Sequence, residues 1–183
     1  MTHLNKDQKR RELIDLLKQK CYRKGDFLLS SGRRSEHYMN CKPVTLDGHG
    51  LELVSELMAD LIDEDAVAVG GLTLGADPLV AGIAMKAKIS GFIVRKEPKG
   101  HGTNAKLEGP KLPKGSKVTV VEDVTTTCKS AIKAVRAIRD AGYDVTRIVT
   151  LIDRQEYGEA DIYALDAKCE LFSVFDLEEV ISR

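Results

Sequence analysis

Nothing in the chain approaches about 18 consecutive apolar residues, the least that a membrane-spanning helix requires. Cysteine is sparse and scattered: Cys21, Cys41, Cys128 and Cys169 form no CxxC pair. That spacing argues against both a zinc site and a disulfide framework, and it points to a reduced, cytoplasmic setting. Net charge is missing as well, since 28 basic side chains meet 28 acidic ones. A balanced chain has no global field with which to draw nucleic acid or an anionic membrane, so any phosphate binding must come from local clusters. The N-terminal run MTHLNKDQKRRELIDLL is charged throughout and carries no apolar signal region, which predicts a soluble protein that is not exported. Repeats and linkers are absent too. The 183 residues fit one compact domain, large enough to bury roughly two-thirds of its unfolded surface.

What is present is an alternation of short apolar runs with helical patterns. Residues 6–20 set Leu13, Ile14, Leu16 and Leu17 at helical spacing among charges, predicting an amphipathic helix. The stretch GDFLLSSGRRSEHYMNCKPV has little periodicity and much Gly, Ser and Arg, predicting irregular or short-strand structure. Further helices are expected over about 49–62, 76–88 and 129–141, and strands over 66–71, 91–94, 117–123, 145–153 and near ELFSVF. Strands that alternate with helices imply an α/β fold with a central parallel sheet flanked by helices, because each parallel crossover needs a helix.

Ligands of an open parallel sheet gather outside the carboxyl ends of its strands. One such end stands out. In VTVVEDVTTTCKSAIKAVRAI an apolar strand closes on Glu122 and Asp123, and Val124, Thr125, Thr126, Thr127, Cys128, Lys129 and Ser130 lead into a helix. Backbone N–H groups at a helix N-terminus, joined by hydroxyl donors, make a phosphate cradle. The paired acids would repel that phosphate but accept hydrogen bonds from vicinal hydroxyls a short distance away. Phosphate beside a diol describes a ribose 5-phosphate. The bland reading is that Thr126 or Thr127 caps the helix and the acids end a strand. An ATP-binding loop is excluded because Asp123 and Cys128 stand where its glycines are needed.

A second cluster follows the strand GFIV, where Arg95, Lys96, Lys99 and His101 crowd the loop RKEPKGHGT, with Lys106 beyond it. Gly100 and Gly102 leave its backbone pliable while the cations supply charge-assisted donors, a combination suited to closing over polyphosphate. Arg154, in DRQE after another apolar strand, can grip a planar carboxylate with its guanidinium fork; a surface ion pair is the plain alternative.

These motifs resemble a known family. E-D-x-x-T-T-x-x-S resembles the substrate loop of type I phosphoribosyltransferases, and RKEPKGHGT resembles the mobile catalytic loop of the orotate phosphoribosyltransferases among them. GGLTLGADP resembles the family's pyrophosphate loop, and FLLSSGRRSEHYMN resembles its N-terminal motif, in which Phe27, Tyr38 and Met39 are candidates for covering the base. The four matches span residues 27–156 in the expected order. The resemblance implies a type I phosphoribosyltransferase fold in one domain, 1–183, with about 1–45 forming a small N-terminal hood. It implies transfer of a phosphoribosyl group from phosphoribosyl pyrophosphate (PRPP) to orotate, giving orotidine 5'-monophosphate and pyrophosphate in pyrimidine biosynthesis. It implies Mg2+ held mainly by PRPP and water, with no protein metal ligand set, and a homodimer whose basic loop serves the neighbouring subunit. No nucleic acid or membrane partner is implied.

Residue by residue, the resemblance gives Lys99, His101 and Asp123 catalytic roles. PRPP binding falls to Arg95, Lys96, Lys99, His101, Glu122, Asp123 and the run from Val124 to Ser130, and orotate binding to Thr126 and Arg154. One departure matters: the family carries glycine where this chain has Cys128. A cysteine in the left-handed conformation expected there costs on the order of 1–2 kcal/mol, or else the loop shifts. Two alternatives stay open, a phosphoribosyltransferase for another base and a PRPP-binding regulatory protein.

Overall fold

The computed structural model describes residues 4–28, 32–97, 106–155 and 159–182. Helix α1 (Lys6–Lys20) starts at Asn5, whose side chain accepts from the Gln8 N–H while the Gln8 side chain accepts from the Asn5 N–H. This reciprocal cap satisfies two of the helix's orphan donors. An antiparallel hairpin follows, β1 (Tyr22–Leu28) with β2 (Arg34–Met39). Then come α2 (Lys42–Thr45) and α3 (Gly48–Ala59). The remainder runs β3 (Ala68–Leu72), α4 (Asp77–Ala87), β4 (Ser90–Val94), β5 (Leu107–Glu108), β6 (Val118–Thr125) and α5 (Lys129–Asp140). It ends with β7 (Arg147–Asp153), α6 (Glu159–Asp166), β8 (Glu170–Asp176) and α7 (Leu177–Ile181).

Strands β3 to β8 form one six-stranded sheet in the order β5-β4-β3-β6-β7-β8. All neighbours are parallel except β5, which pairs antiparallel with β4 through Ile93↔Glu108 and Val94↔Leu107. The expected central parallel sheet is therefore present, with an antiparallel edge that the pattern of strands and helices did not announce. No helix separates β4 from β5 in the described chain, so β5 returns along the edge instead of crossing over.

Apolar side chains pack on both faces. One core joins Leu13 and Leu17 of α1, Leu53 and Val54 of α3, Leu79 and Ile83 of α4, Val69 and Val121 of the central strands, and Phe175 of β8. The opposite core sets Ala131, Val135 and Ile138 of α5 against Val118, Val120 and Ile148. Helix α1 thus shares the sheet's core and does not fold apart from it. Helix α6 escaped the sequence reading for a physical reason: its larger apolar side chains, Ile162 and Leu165, are 60% and 75% exposed, and its buried face is Ala160 and Ala164.

Strand order also places the site. From β3 the chain moves to β4 on one side, then returns to β6 on the other, so the loops after β3 and β6 diverge at the middle of the sheet. Such a switch point opens a crevice at the strands' carboxyl ends. Gly71 permits its tight geometry, because a Cβ there would lie 2.6 Å from the carbonyl oxygen of Val121 and 2.3 Å from the Cβ of Ala76.

Candidate active site

A cleft of about 760 Å³ lies at this carboxyl edge. Seven consecutive residues after the acid pair, Val124 to Ser130, line it together with Arg95 and Lys96. The structure therefore brings the foot of the basic loop against the helix opening, two segments about thirty residues apart in sequence. Lys99 and His101 lie outside the described residues.

Helix α5 opens without a side-chain cap. Neither Thr126 nor Thr127 caps it; the local bond instead runs from the Cys128 N–H to the Thr125 hydroxyl, at 2.9 Å. The first amides of a helix have no intrahelical partner, so here they remain as donors at the cleft. Cys128 takes φ 59° and ψ 1°, the left-handed conformation that glycine adopts freely. The loop keeps its turn, and the cysteine bears the backbone cost. Its side chain is 2% exposed and packs in the α5 core, and burial pushes the thiol up to about 12. It is consequently protonated at neutral pH and does not supply a negative charge beside a phosphate.

The acids sit on opposite sides of β6, as strand alternation demands. Glu122, 6% exposed, follows Val118 and Val120 on the α5 face, whereas Asp123 follows Val121 toward the loop after β3. Burial, and then the adjacent Asp123 carboxylate, hold Glu122 well above the usual carboxylate range. Its Oε2 is buried without a hydrogen-bond partner among the described residues. Asp123 accepts from the Val124 N–H at 2.9 Å and lies so close to the β3 loop that a Cβ on Gly75 would stand 2.5 Å from its Oδ1. Within that loop the Thr73–Leu74 peptide is cis.

Arg154 lies buried and not at the surface. It is 6% exposed, and its Nη2 donates to the Ser35 hydroxyl and the His37 carbonyl, each at 2.9 Å. These bonds clamp the β1–β2 hairpin onto the carboxyl end of β7. The Arg154 N–H also donates to the Thr125 carbonyl at 2.9 Å, which ties Arg154 to the loop after β6. Beside it, Asp153 accepts from the Gln155 N–H, and burial raises its carboxyl. On the hairpin, Met39 is 7% exposed and belongs to the core, so packing accounts for it. Phe27 and Tyr38 stack on one another with centroids 5.1 Å apart.

Sequence reasoning passed over Lys133 and Arg136, which line the same cleft from α5, and gave no role to Lys106. The signal was available: Lys129, Lys133 and Arg136 repeat at helical spacing along one exposed stripe.

A family model described as the phosphoribosyl transferase domain matches residues 47–176. The orotate phosphoribosyltransferase of Thermosynechococcus vestitus is 48% identical over 180 residues, 95% of each chain. That of Nostoc is 46% identical over 93% of this chain and 85% of its own. Among solved structures, Mycobacterium tuberculosis orotate phosphoribosyltransferase in complex with PRPP superposes with a TM-score of 0.77 and 35% identity, covering 94% of this chain and 98% of that one. With its sheet order, its acid pair and its uncapped helix opening accounted for, the chain belongs to the phosphoribosyl transferase family, in the orotate phosphoribosyltransferase branch of it.

Proposed function

We infer that this protein is an orotate phosphoribosyltransferase, joining orotate to C1 of PRPP with release of pyrophosphate, in the route to uridine nucleotides. The observation that carries the reading is the convergence of the uncapped α5 opening, the foot of the basic loop and the Arg154 clamp at one edge of one sheet. The 5'-phosphate is assigned to the amides and hydroxyls of Thr125 to Ser130, and the ribose hydroxyls to Glu122 and Asp123. Arg95 and Lys96 take the pyrophosphate. Thr126 and Arg154 take orotate, the latter through its carboxylate.

Displacement at C1 develops positive character on the ribose and negative charge on the departing pyrophosphate. Cations aimed at the leaving group stabilise that state more than the ground state, which is what accelerates the step. Lys99 and His101 are proposed to supply that charge from the basic loop while excluding water. Asp123, anchored by the Val124 amide, orients the ribose, so catalysis rests on positioning and electrostatics without a covalent intermediate. Mg2+, which prefers hard oxygen donors and retains several waters, is proposed to be held mainly by PRPP and water, with no protein ligand set. Bound with PRPP, Mg2+ would neutralise charge on the pyrophosphate.

The whole chain is proposed to act as one domain, with about residues 1–45 contributing the cover over the base; the Arg154 bonds to Ser35 and His37 support this. A homodimer that exchanges basic loops is the assembly we propose. None of the helices described is long and apolar enough to cross a membrane, and a cytoplasmic location is proposed. Orotate with PRPP and Mg2+, followed by the loss of orotate absorbance, tests the activity. Turnover of another base in its place would reassign the substrate, and binding of PRPP without turnover of any base would favour a regulatory role.

A further inference from the structure

We propose that Lys106, Lys133 and Arg136 form an attracting rim that captures the polyphosphate substrate before it reaches the helix opening; this rests on the reading that the cleft takes PRPP. All three line the cleft, where they join Arg95, Lys96 and Lys129 against only two acids, Glu97 and Asp140. A chain with no net charge has thus gathered a strongly positive wall at one place. Concave surfaces with charge of one sign focus the field and raise the local concentration of oppositely charged ligand.

The density of one sign of charge separates this from an ordinary solvated face. Several cations elsewhere on the described surface are neutralised in place, as in Lys9–Glu56, Lys117–Asp63 and Arg147–Glu170. Lys106, Lys133 and Arg136 have no ion pair of this kind among the described residues; Lys129, the next cation on the stripe, lies over the Tyr163 ring at 5.2 Å. Lys129, Lys133 and Arg136 stand along one exposed stripe of α5, so the helix presents them together on one side of the cleft.

The side chains are exposed, so the rim acts at long range and not by direct contact with the bound phosphate. The test is Lys133→Glu/Arg136→Glu, with Lys133→Gln/Arg136→Gln as a milder pair should the reversal disturb α5. Steady-state rates are measured at about 0.01 M and about 0.15 M ionic strength, where the screening length is roughly 30 Å and 8 Å. The expected result is a loss of kcat/KM for PRPP on the order of tenfold at the lower salt for the charge reversal. It should shrink below about threefold at the higher salt, with kcat retained and orotate, a single carboxylate, affected much less. A salt-independent loss, or a fall in kcat, would show direct contact in place of attraction and overturn the proposal. So would unchanged kinetics in a parent protein that turns over orotate. A parent without PRPP turnover or binding would instead remove the functional reading itself, and the rim's ligand with it.

Discussion

Two turns flank the central strand β3, one after β6 and one after β4, and they carry charge in opposite ways. The β6 turn buries polar groups: Glu122 and Thr125 are 6% and 3% exposed, and the Thr125 hydroxyl holds the Cys128 amide. The β4 turn leaves its charge at the surface, with Arg95 paired to Glu108 across the β4–β5 edge at 3.2 Å. A group that must be placed to within a fraction of an ångström belongs in packed surroundings, where neighbours dictate its position. A group that must arrive with a ligand and leave again is better kept near water, where movement and re-solvation cost little. The comparison predicts that substitutions in the first turn alter geometry and stability together, and that substitutions in the second alter rate alone.

The largest effect is expected at Arg154, on the buried side. Arg154→Ala should weaken orotate binding by roughly 2–3 kcal/mol, on the order of 30- to 150-fold, and lower the melting temperature as the hairpin loses its clamp. PRPP affinity should change by less than about threefold; calorimetry that found equal losses for both ligands would detach Arg154 from the base. Next in size, Lys99→Ala should lower kcat by at least about tenfold, the equivalent of ~1.4 kcal/mol, without moving the melting temperature. Full turnover in that variant would strip the basic loop of its role and leave the comparison with one functional side.

Glu122→Gln sharpens the buried side through pH. Because the folded state holds this proton to a higher pH than the unfolded chain does, its burial is harmless below the unfolded value of about 4.3. As pH rises from there toward the raised folded value, the unfolded chain ionises first and stability declines. The glutamine variant lacks that decline. It should therefore resist urea better than the parent at neutral pH, match it near pH 4, and still bind PRPP more weakly. Parallel stability curves for the two proteins would mean that Glu122 is not held protonated by its surroundings. The smallest effect is expected at Cys128→Gly. Relief of about 1–2 kcal/mol of left-handed backbone cost opposes the loss of a buried thiol of similar worth, so stability and turnover should each stay close to the parent's. A gain in turnover beyond about tenfold would show that the cysteine distorts the loop after β6.

The long elements were legible because their patterns are strong. Helix α5 repeats Ala131, Val135 and Ile138 on one face with cations on the other, and its start at residue 129 was expected and found. β6 read as a strand from its unbroken apolar run. The elements that were missed are short or carry their apolar groups outward: β5 is two residues long, and α6 shows Ile162 and Leu165 to solvent. At the site, the donor and acceptor groups of the loop after β6 were readable from a helix opening that follows an acid pair. Which threonine bonds the backbone was not, since Thr125, Thr126 and Thr127 are chemically equal until the loop is folded. Lys133 and Arg136 went unread because a charge on an exposed helix face is usually just solvated.

The chain's own residues determined the class of fold, the acids and hydroxyls gathered after β6 and the cations after β4, since each of these is a matter of local pattern. Only the tertiary structure decided that Arg154 is buried under the hairpin, that Glu122 and Asp123 face opposite sides of the sheet, and that Lys106 shares a wall with Arg136. Burial, pKa and field depend on which distant segments come together, and strand order, not any stretch of neighbouring residues, sets that.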